Sequence, residues 1–465
     1  MATKSDLWAE WVRETLLADI AVAKTPDPVP IVDSVETPLE RSDALDDYRY
    51  GRGEGDYLYL LYLLKDDVDP DVEDVVPVYI GETNAITQRL LDHFREIRES
   101  LPVSEWADDG SWGSWSKYDH MAAVVEASGS PLYAWILDVD TLETGPYGYP
   151  TYRQELEAKL VGLVHSLDGF EWRFANREFV PNRVVHEMGK SGPRWVYGES
   201  ESYEPTALPE TGAVVDAPTK ADLWYDWVRE TIVADIHSTT ARQYSLGEVS
   251  DPIPLFDTEP DGTVRVTDQG VLKRSDAIDA RIRQEGRKCV HSDGVRSDGP
   301  DGILYVLYQL DTDGGDVTAS DIVPRYIGKA EAYGKKNELS ANFEEIAKNR
   351  DGTRSFARWG DGDYWHVGEL TNTVFDGDSK KQPWANALFE QGTRRLIDDV
   401  YLWVRAWNPS EYPGPYGVPA YLAEAEALLI GLAYDAYQDH LLNHSGVPDT
   451  AASKADDREF TTASR

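Results

Sequence analysis

Residues 79–94 read YIGETNAITQRLLDHF, and this stretch decides how the chain is interpreted. Its first letters predict the end of a strand with a tight turn at Gly81, and the letters after the turn predict a helix. Arg89 and His93 are four positions apart, so they share one face of that helix close to the turn. A phenol, a guanidinium and an imidazole at one such junction suit the chemistry of a phosphodiester.

Two other segments supply side chains for the same place. Residues 57–64 read YLYLLYLL and predict a strand that pairs with the strand at Tyr79 as an antiparallel hairpin. Tyr59 and Tyr79 then project from neighbouring strands onto one face of the sheet. Downstream, Glu157 lies on a predicted helix that reads ELEAKLVGL, and one carboxylate with several waters suits Mg²⁺.

The order and spacing of these residues resemble the GIY-YIG nuclease family. The residues that carry the resemblance are Tyr59, Tyr79, Arg89, His93 and Glu157. The resemblance implies a phosphodiester hydrolase in which Tyr59 or Tyr79 orients or activates the attacking water and Arg89 neutralises the scissile phosphate. It also implies that His93 assists proton transfer and that Glu157 binds one Mg²⁺ or Mn²⁺ ion.

The first strand departs from the family pattern. The glycine expected just before Leu58 is absent, and Gly55 stands two residues too early. Tyr57 and Tyr62 are therefore rivals of Tyr59 for the role of the first tyrosine. Because all three tyrosines lie on one predicted strand, the sequence alone leaves that choice open.

Two more polar residues accompany the glutamate helix. Glu155 is two positions from Glu157, so it points to another face of the helix and is the weaker candidate for a metal ligand. Asn176 matches a polar residue that the family places after this helix, which implies a contact with the substrate. Asn443 is its counterpart later in the chain, since it stands in NHSGVP as Asn176 stands in NREFVP.

The chain is an internal duplication, because five blocks recur in the same order. The blocks at 5–20, 41–46, 57–64, 76–81 and 145–163 return at 221–236, 274–279, 303–310, 323–328 and 414–432. We therefore expect an α+β fold, a tandem of GIY-YIG-like units, each a small, mainly antiparallel three-stranded sheet flanked by helices with an added N-terminal helix. The expected limits are an intact unit at 1–184, a linker at 185–218, a degenerate unit at 219–447 and a disordered tail at 448–465.

The second copy keeps its tyrosines and its glutamate but loses the centre of the motif. Its counterparts of Tyr59, Tyr79 and Glu157 are Tyr305, Tyr326 and Glu426. At the positions of Arg89 and His93, one alignment places Glu338 and Asn342, and a direct count from the glycine places Lys336 and Ser340. A carboxylate at the phosphate-binding position repels the substrate, so we predict that the second copy packs or binds without cutting. The pair Lys335–Lys336 leaves a second active site open as the alternative.

The net charge of the chain indicates the salt concentration in which the protein works and says nothing about its substrate. Acidic residues number 84 and basic residues 45, which gives a net charge of −39, and only 16 residues are lysine. A dispersed acidic surface with few lysines is what a cytoplasm of very high salt favours, so we expect a haloarchaeal-type protein. At molar salt the Debye length is about 3 Å, so an acidic surface does not exclude a nucleic-acid partner.

Other classes of protein are excluded by composition. Cys289 is the only cysteine in the sequence, which excludes disulfide frameworks and zinc sites built from cysteines. The sequence contains neither a signal peptide nor a run of about 18 apolar residues. We therefore expect a cytoplasmic protein without a membrane partner.

These observations predict a metal-dependent endonuclease that hydrolyses nucleic acid, DNA rather than RNA, with its active site in the first copy. One intact site predicts nicking by a monomer, and a double-strand cut needs a homodimer or two successive events. The alternative is a catalytically inert duplicated module that acts in nucleic-acid binding or protein assembly. A third interpretation treats the motif residues as core packing alone.

Overall fold

A computed structural model of the chain describes residues 3–22, 29–32, 55–65, 70–103, 115–167, 174–191, 219–238, 242–244, 247–249, 252–268, 270–290, 299–312, 316–344, 365–377, 381–412, 414–438, 440–448 and 459–464. The chain divides into two compact units. One contains Met1–Val215 with Tyr416–Leu428, and the other contains Asp216–Pro415 with Leu429–Arg465. The predicted linker at 185–218 falls mostly outside the described residues, and the unit limits expected from the sequence stay a prediction.

The first unit is built on one antiparallel sheet. In chain order its elements are α1 (Lys4–Glu14), α2 (Leu16–Val22), β1 (Val29–Val32), β2 (Tyr57–Leu64), β3 (Val75–Thr83), α3 (Ile86–Ser100), α4 (Lys117–Ser128), β4 (Leu132–Asp138), α5 (Arg153–Val164) and α6 (Asn182–Ser191). The strand order is β1-β4-β2-β3. The three predicted strands are β2, β3 and β4, whereas the short edge strand β1 was missed because a proline within a four-residue run indicates a loop.

The β2–β3 hairpin places the two tyrosine-bearing strands in a fixed register. Tyr59 is paired with Gly81, and Leu61 is paired with Tyr79. The register shifts after Leu61, next to Pro77, because proline has no N–H with which to continue the ladder. The register of the two strands therefore sets the pairing of Tyr59 with Gly81. This pairing limits which residue fits at position 81.

The core of the first unit lies between one face of this sheet and helices α3 and α4. The buried aliphatic and aromatic side chains that form it include Leu61, Val76, Leu90, Phe94, Met121 and Val124. Tyr59 and Tyr79 belong to the same cluster. Two of the predicted site residues are thus core residues, so the packing around their rings fixes where their hydroxyls lie.

Helix α1 buries the apolar face that the sequence predicts. The buried residues on that face are Leu7, Trp8, Trp11 and Val12. The helix is interrupted at Thr15, whose hydroxyl donates to the carbonyl of Trp11 at 2.6 Å. In α2, a carboxylate oxygen of Asp19 accepts a hydrogen bond of 2.9 Å from the indole of Trp135 on β4. The added N-terminal segment is therefore tied to the sheet.

The elements after residue 219 include a second sheet with the same three antiparallel strands as β3-β2-β4. They are α7 (Lys220–Val228), α8 (Ala234–His237), β5 (Arg242–Tyr244), β6 (Gly247–Val249), α9 (Asp276–Cys289), β7 (Gly302–Leu310), β8 (Ile322–Glu331), α10 (Trp365–Asp376), α11 (Gln382–Leu388), β9 (Val400–Ala406) and α12 (Leu422–Ala436). The order of the main sheet is β8-β7-β9, and β5 pairs with β6 alone. Tyr305 pairs with Gly328, and the register shifts next to Pro324.

The observed class is α+β with two separate main antiparallel sheets, as the sequence predicts, and the pair β5–β6 forms a third, two-stranded sheet. Each main sheet contains the three antiparallel strands expected for its copy, and the first sheet adds β1 at its edge. Among the helices of the described residues, none is both long enough and apolar enough to span a membrane.

Residues 459–464, the described end of the tail that the sequence predicts to be disordered, pack against the second unit. Phe460 and Ala463 are buried in the hydrophobic core of the second unit. The backbone N–H of Ala463 donates to the carbonyl of Val374 at 2.7 Å. Phe460 is a single large apolar residue within a polar stretch, and composition alone does not reveal one anchoring side chain.

Candidate active site

Side chains far apart in the sequence meet on the face of the β2–β3 hairpin that α3 covers. The ring centroids of Tyr59 and Tyr79 are 6.1 Å apart. The ring of His93 lies 5.4 Å from that of Tyr59 and 5.1 Å from that of Tyr79. Arg89, one turn earlier on α3, donates from Nε to the hydroxyl of Tyr59 at 3.2 Å. The structure thus brings four of the predicted residues into mutual contact.

The hydroxyl of Tyr59 is engaged within the protein. It accepts the hydrogen bond from Arg89 and lies 2.7 Å from Nε2 of His93. Tyr59 and His93 both have 0% of their surface exposed, whereas Arg89 is only half-buried. Among the described residues, the guanidinium of Arg89 makes no other hydrogen bond. Tyr59 therefore orients the guanidinium through Nε and leaves the two terminal nitrogens able to meet an anion.

Gly81 is required by the close approach of both tyrosine rings. A Cβ at this position would lie 2.5 Å from Cζ of Tyr59 and 2.8 Å from Cε1 of Tyr79. Atoms this close overlap, so any side chain displaces at least one ring. The glycine of the motif is thus explained by packing against the tyrosines, in addition to the turn that the sequence predicts.

Substitution of Gly81 by alanine is expected to lower the free energy of unfolding by about 1–3 kcal/mol, because the methyl group overpacks the two rings. Gly189→Ala is the matched control, since a Cβ there meets nothing within 4 Å and α6 gains a better helix former. The measurement is urea unfolding followed by tryptophan fluorescence. Equal stability of the two variants would contradict the packing explanation.

Lys117 contacts the second tyrosine and was not singled out by the sequence. Its ammonium donates to the hydroxyl of Tyr79 at 3.0 Å. The same nitrogen lies 4.6 Å from the ring centroid of Tyr79 and 5.1 Å from that of Tyr118. Lys117 begins α4, beyond residues 104–114, so its distance in sequence from the motif gives no hint of this contact. The only feature of the sequence that draws attention to Lys117 is that lysine is scarce in this chain.

Burial controls the ionisation of the aromatic groups. It raises the pKa of Tyr59, which Arg89 offsets only in part, and it raises the pKa of Tyr79 well above its usual value. Burial, together with the charges of Lys117 and Arg89, lowers the pKa of His93 to about 3. His93 is therefore a neutral hydrogen-bond partner at neutral pH, and neither phenol ionises there without a proton acceptor.

Glu157 is a buried carboxyl group on α5 in an acidic neighbourhood. Burial raises its pKa to about 8, and the charges of Glu82 and Glu178 add to this effect against the opposing charges of Lys117 and Arg89. The charge of Glu157 in turn raises the pKa of Tyr59 and of Tyr79. Glu157 is therefore close enough to the tyrosines to act on them electrostatically.

The donor set fits a hard cation with few protein ligands. Within the described residues, no group of three or more His, Cys, Asp or Glu side chains is placed to hold a metal ion. Mg²⁺ commonly takes one or two carboxylates and keeps its waters, so the single predicted ligand Glu157 is sufficient. Glu82 is the carboxylate whose charge acts most strongly on Glu157, although its Oε2 is paired with Nε of Arg153 at 2.5 Å.

Asn176 lies beside β3 and uses its whole amide on that strand. Its Oδ1 accepts from the N–H of Ile80 at 2.8 Å, and its Nδ2 donates to the carbonyl of Ile80 at 2.7 Å. Asn443 makes the same pair of bonds with Ile327, at 3.0 and 2.8 Å. The side chain thus completes the hydrogen bonding of the sheet edge in both copies. The predicted contact of Asn176 with substrate stays a prediction.

Asn176→Ala is expected to lower the free energy of unfolding by about 2–4 kcal/mol, because it leaves two buried backbone groups of Ile80 without partners. Asn84→Ala is the control, since Asn84 is exposed. Urea unfolding measures both. A variant of Asn176 that keeps full stability but binds DNA more weakly would support the substrate role instead.

The residues that the sequence offers as alternatives to Tyr59 and Glu157 make different contacts. Tyr62 packs its ring 5.8 Å from that of Tyr133, and alternation along β2 puts it on the face opposite Tyr59. Tyr57 shares the face of Tyr59 and packs in the core. Glu155 is fully buried and paired with Lys159 at 2.9 Å. The hydrogen bonds to Arg89 and His93 favour Tyr59 over both rival tyrosines.

In the second unit the tyrosine pair is preserved. The ring centroids of Tyr305 and Tyr326 are 6.1 Å apart, the same separation as in the first unit. A Cβ on Gly328 would lie 2.5 Å from Cζ of Tyr305. The ring of Tyr326 packs 4.9 Å from that of Trp384. The packing of the hairpin is thus retained without the arginine and the histidine.

Between Gly328 and Phe343, where the structure describes every residue, no helix corresponds to α3. Residues 332–343 form turns and an isolated bridge between Tyr333 and Leu339. Glu338 lies within this bridged turn, and Asn342 lies in the turn that follows it. Glu426 is half-buried on α12, and its predicted correspondence to Glu157 stays a prediction.

Comparison with known proteins adds no relative. No family model, no curated protein and no solved structure matches the chain. The resemblance to the GIY-YIG family therefore depends on the motif residues and on the contacts they make in this structure.

Proposed function

We propose that the first unit is a GIY-YIG-like endonuclease site that hydrolyses phosphodiester bonds of DNA with one Mg²⁺ or Mn²⁺ ion. The observation that carries the proposal is the hydrogen-bonded group of Arg89, Tyr59 and His93. Its members come from a strand and a helix, and Glu157 lies close enough for its charge to act on Tyr59. The same residue types in the same order define the family motif, and we infer that the second unit is a degenerate copy.

The proposed chemistry is an attack of water on phosphorus with loss of the leaving oxygen. The terminal nitrogens of Arg89 donate to the non-bridging oxygens, where negative charge increases in the transition state. Tyr59 and neutral His93 hold that guanidinium in place. A divalent ion bound at Glu157 would supply Lewis acidity to the phosphate. The buried setting strengthens each of these interactions, because the local dielectric constant is low.

The test is cleavage of supercoiled plasmid DNA in about 3 M KCl, which matches the setting expected from the charge of the chain. We expect nicking with Mg²⁺ or Mn²⁺ and none with EDTA. The Glu426→Gln variant is expected to cut as fast as the unmodified protein, because the residues of the proposed site all come from the first copy of the motif and Glu426 comes from the second. Failure to cut plasmid, single-stranded DNA, branched DNA and RNA would contradict the proposal.

An inert module that binds nucleic acid or assembles proteins is the second candidate. One observation favours it: Tyr59 and His93 have no exposed surface, so neither touches a substrate in this conformation. Fluorescence anisotropy with labelled DNA separates the two candidates. Binding without cleavage, at every metal and substrate tested, would support the inert module.

A further inference from the structure

We propose that Lys117 is a catalytic residue, and that it works with Tyr79 as the proton acceptor for the attacking water. The inference rests on the proposed nuclease function and deepens it, because it assigns different roles to the two tyrosines. Tyr59 orients Arg89, whereas Tyr79 passes a proton to the amine of Lys117.

The two tyrosine hydroxyls differ in what surrounds them. That of Tyr59 has two protein partners and no exposed surface. Tyr79 keeps 6% of its surface exposed, and its hydroxyl is 3.0 Å from Nζ of the half-buried Lys117. Of the two tyrosine side chains, that of Tyr79 has exposed surface and contacts an amine, so we assign to it the contact with water and with the proton acceptor.

The surroundings of Lys117 favour loss of its proton. Burial and the charge of Arg89 lower its pKa to about 8, against the opposing charges of Glu157 and Glu178, and Arg177 adds a further positive charge. The rings of Tyr79 and Tyr118 favour the ammonium form and oppose the shift. A fraction of the amine is therefore neutral near pH 8, where its lone pair can accept the proton of Tyr79.

The step balances without a further reactant. The water oxygen forms a bond to phosphorus and gives a proton to the oxygen of Tyr79. Tyr79 gives its own proton to Nζ of Lys117, which becomes an ammonium group. The bond between phosphorus and the leaving oxygen breaks, and that oxygen keeps the electron pair and takes a proton from solvent. The ammonium then returns its proton to solvent.

The test compares Lys117→Arg and Lys117→Met with Lys190→Met, which removes a largely exposed lysine on α6. We expect a loss of about 100-fold in the cleavage rate at pH 8 for both variants at Lys117, because a guanidinium does not accept the proton. Lys190→Met is expected to cut normally. At saturating Mg²⁺, which keeps Glu157 as a carboxylate at each pH, the rate of the unmodified protein should rise with pH through about 8, and this rise should vanish in both variants at Lys117.

Two further measurements separate proton transfer from positioning. Tyr79→Phe combined with Lys117→Met should be no slower than either single variant, because the two residues act as one unit. Added ethylamine should restore cleavage to Lys117→Ala, and guanidinium at the same concentration should not. Full activity of Lys117→Arg, or an unchanged pH dependence in Lys117→Met, would overturn the proposal and leave the nuclease function standing. An inactive unmodified protein would overturn both.

Discussion

Arg89→Ala is expected to lower the rate of DNA nicking about 10²–10³-fold, the effect of removing one strong donor to a developing charge. The guanidinium is held by Tyr59 through Nε, so its terminal nitrogens point in one fixed direction. Arg89→Lys should lose most of the activity as well, because an ammonium group cannot hydrogen-bond to Tyr59 and present a planar pair of donors at the same time. The measurement is the initial rate of plasmid nicking at saturating Mg²⁺.

Arg95→Ala is the matched control for Arg89→Ala. Arg95 lies on the same helix, its side chain is 58% exposed, and it pairs only with neighbouring acids of α3 among the described residues. We expect a rate within about twofold of the unmodified protein, since surface ion pairs contribute little. Equal losses in the two variants, at equal stability, would mean that the arginine contributes general charge and no specific contact with the phosphate.

Glu157→Gln is expected to abolish metal-dependent cleavage, a loss on the order of a thousandfold, because a Lewis acid at the phosphate is worth several kcal/mol. The amide has the shape of the carboxyl group but binds Mg²⁺ poorly, so the packing is kept while the ligand is lost. The measurement is the nicking rate as a function of Mg²⁺ and Mn²⁺ concentration. Glu99→Gln, an exposed change on α3, is the control.

The same substitution is expected to stabilise the metal-free protein at high pH. Burial raises the pKa of Glu157 from 4.5 in the unfolded chain to about 8 in the folded chain. A raised pKa means that the unfolded state loses this proton first, so stability is complete below about pH 4.5 and falls as the pH rises through 8. Glutamine has no proton to lose. The variant should gain up to about 4 kcal/mol over the unmodified protein at pH 8, and less than about 1 kcal/mol at pH 5.

Urea unfolding at pH 5 and pH 8, with EDTA and then with Mg²⁺, measures this difference. Mg²⁺ should stabilise the unmodified protein at pH 8 and leave Glu157→Gln unchanged, because binding to the folded state alone shifts the equilibrium. Glu99→Gln should show neither effect. A Glu157→Gln variant that is less stable than the unmodified protein at pH 8 would mean that the carboxylate is held by contacts stronger than its desolvation cost.

The sequence predicts those parts of the site that depend on local spacing. Tyr79, Arg89 and His93 lie within one strand–turn–helix segment, so periodicity places them together. The hairpin brings a tyrosine of the first strand beside Tyr79, whereas the choice of Tyr59 over Tyr57 and Tyr62 needs the hydrogen bonds to Arg89 and His93. The class of fold follows from the same patterns, which alternate strands and amphipathic helices in each copy.

The remaining features depend on contacts that periodicity does not encode. Lys117 reaches Tyr79 from a helix beyond an insertion, and nothing in its local sequence marks that direction. Asn176 is held by the backbone of Ile80, so its role follows from the sheet edge it borders. Phe460 lies in a polar segment, and its side chain packs into the hydrophobic core of the second unit. Each case needs the tertiary position of a residue whose neighbours in sequence are uninformative.

The tyrosine–glycine pairing has a consequence for how such motifs are read. Tyr59 with Gly81 and Tyr305 with Gly328 make the same tight contact, although only the first pair has an arginine and a histidine beside it. The sequence YIG therefore reflects the packing of the tyrosine rings against the glycine, and both copies keep it for that reason. Under the proposed function, the information about catalysis resides in the helix that follows. After a gene duplication, the tyrosine–glycine contact can persist because the hairpin needs it to fold, even where the arginine and the histidine of the following helix have been lost.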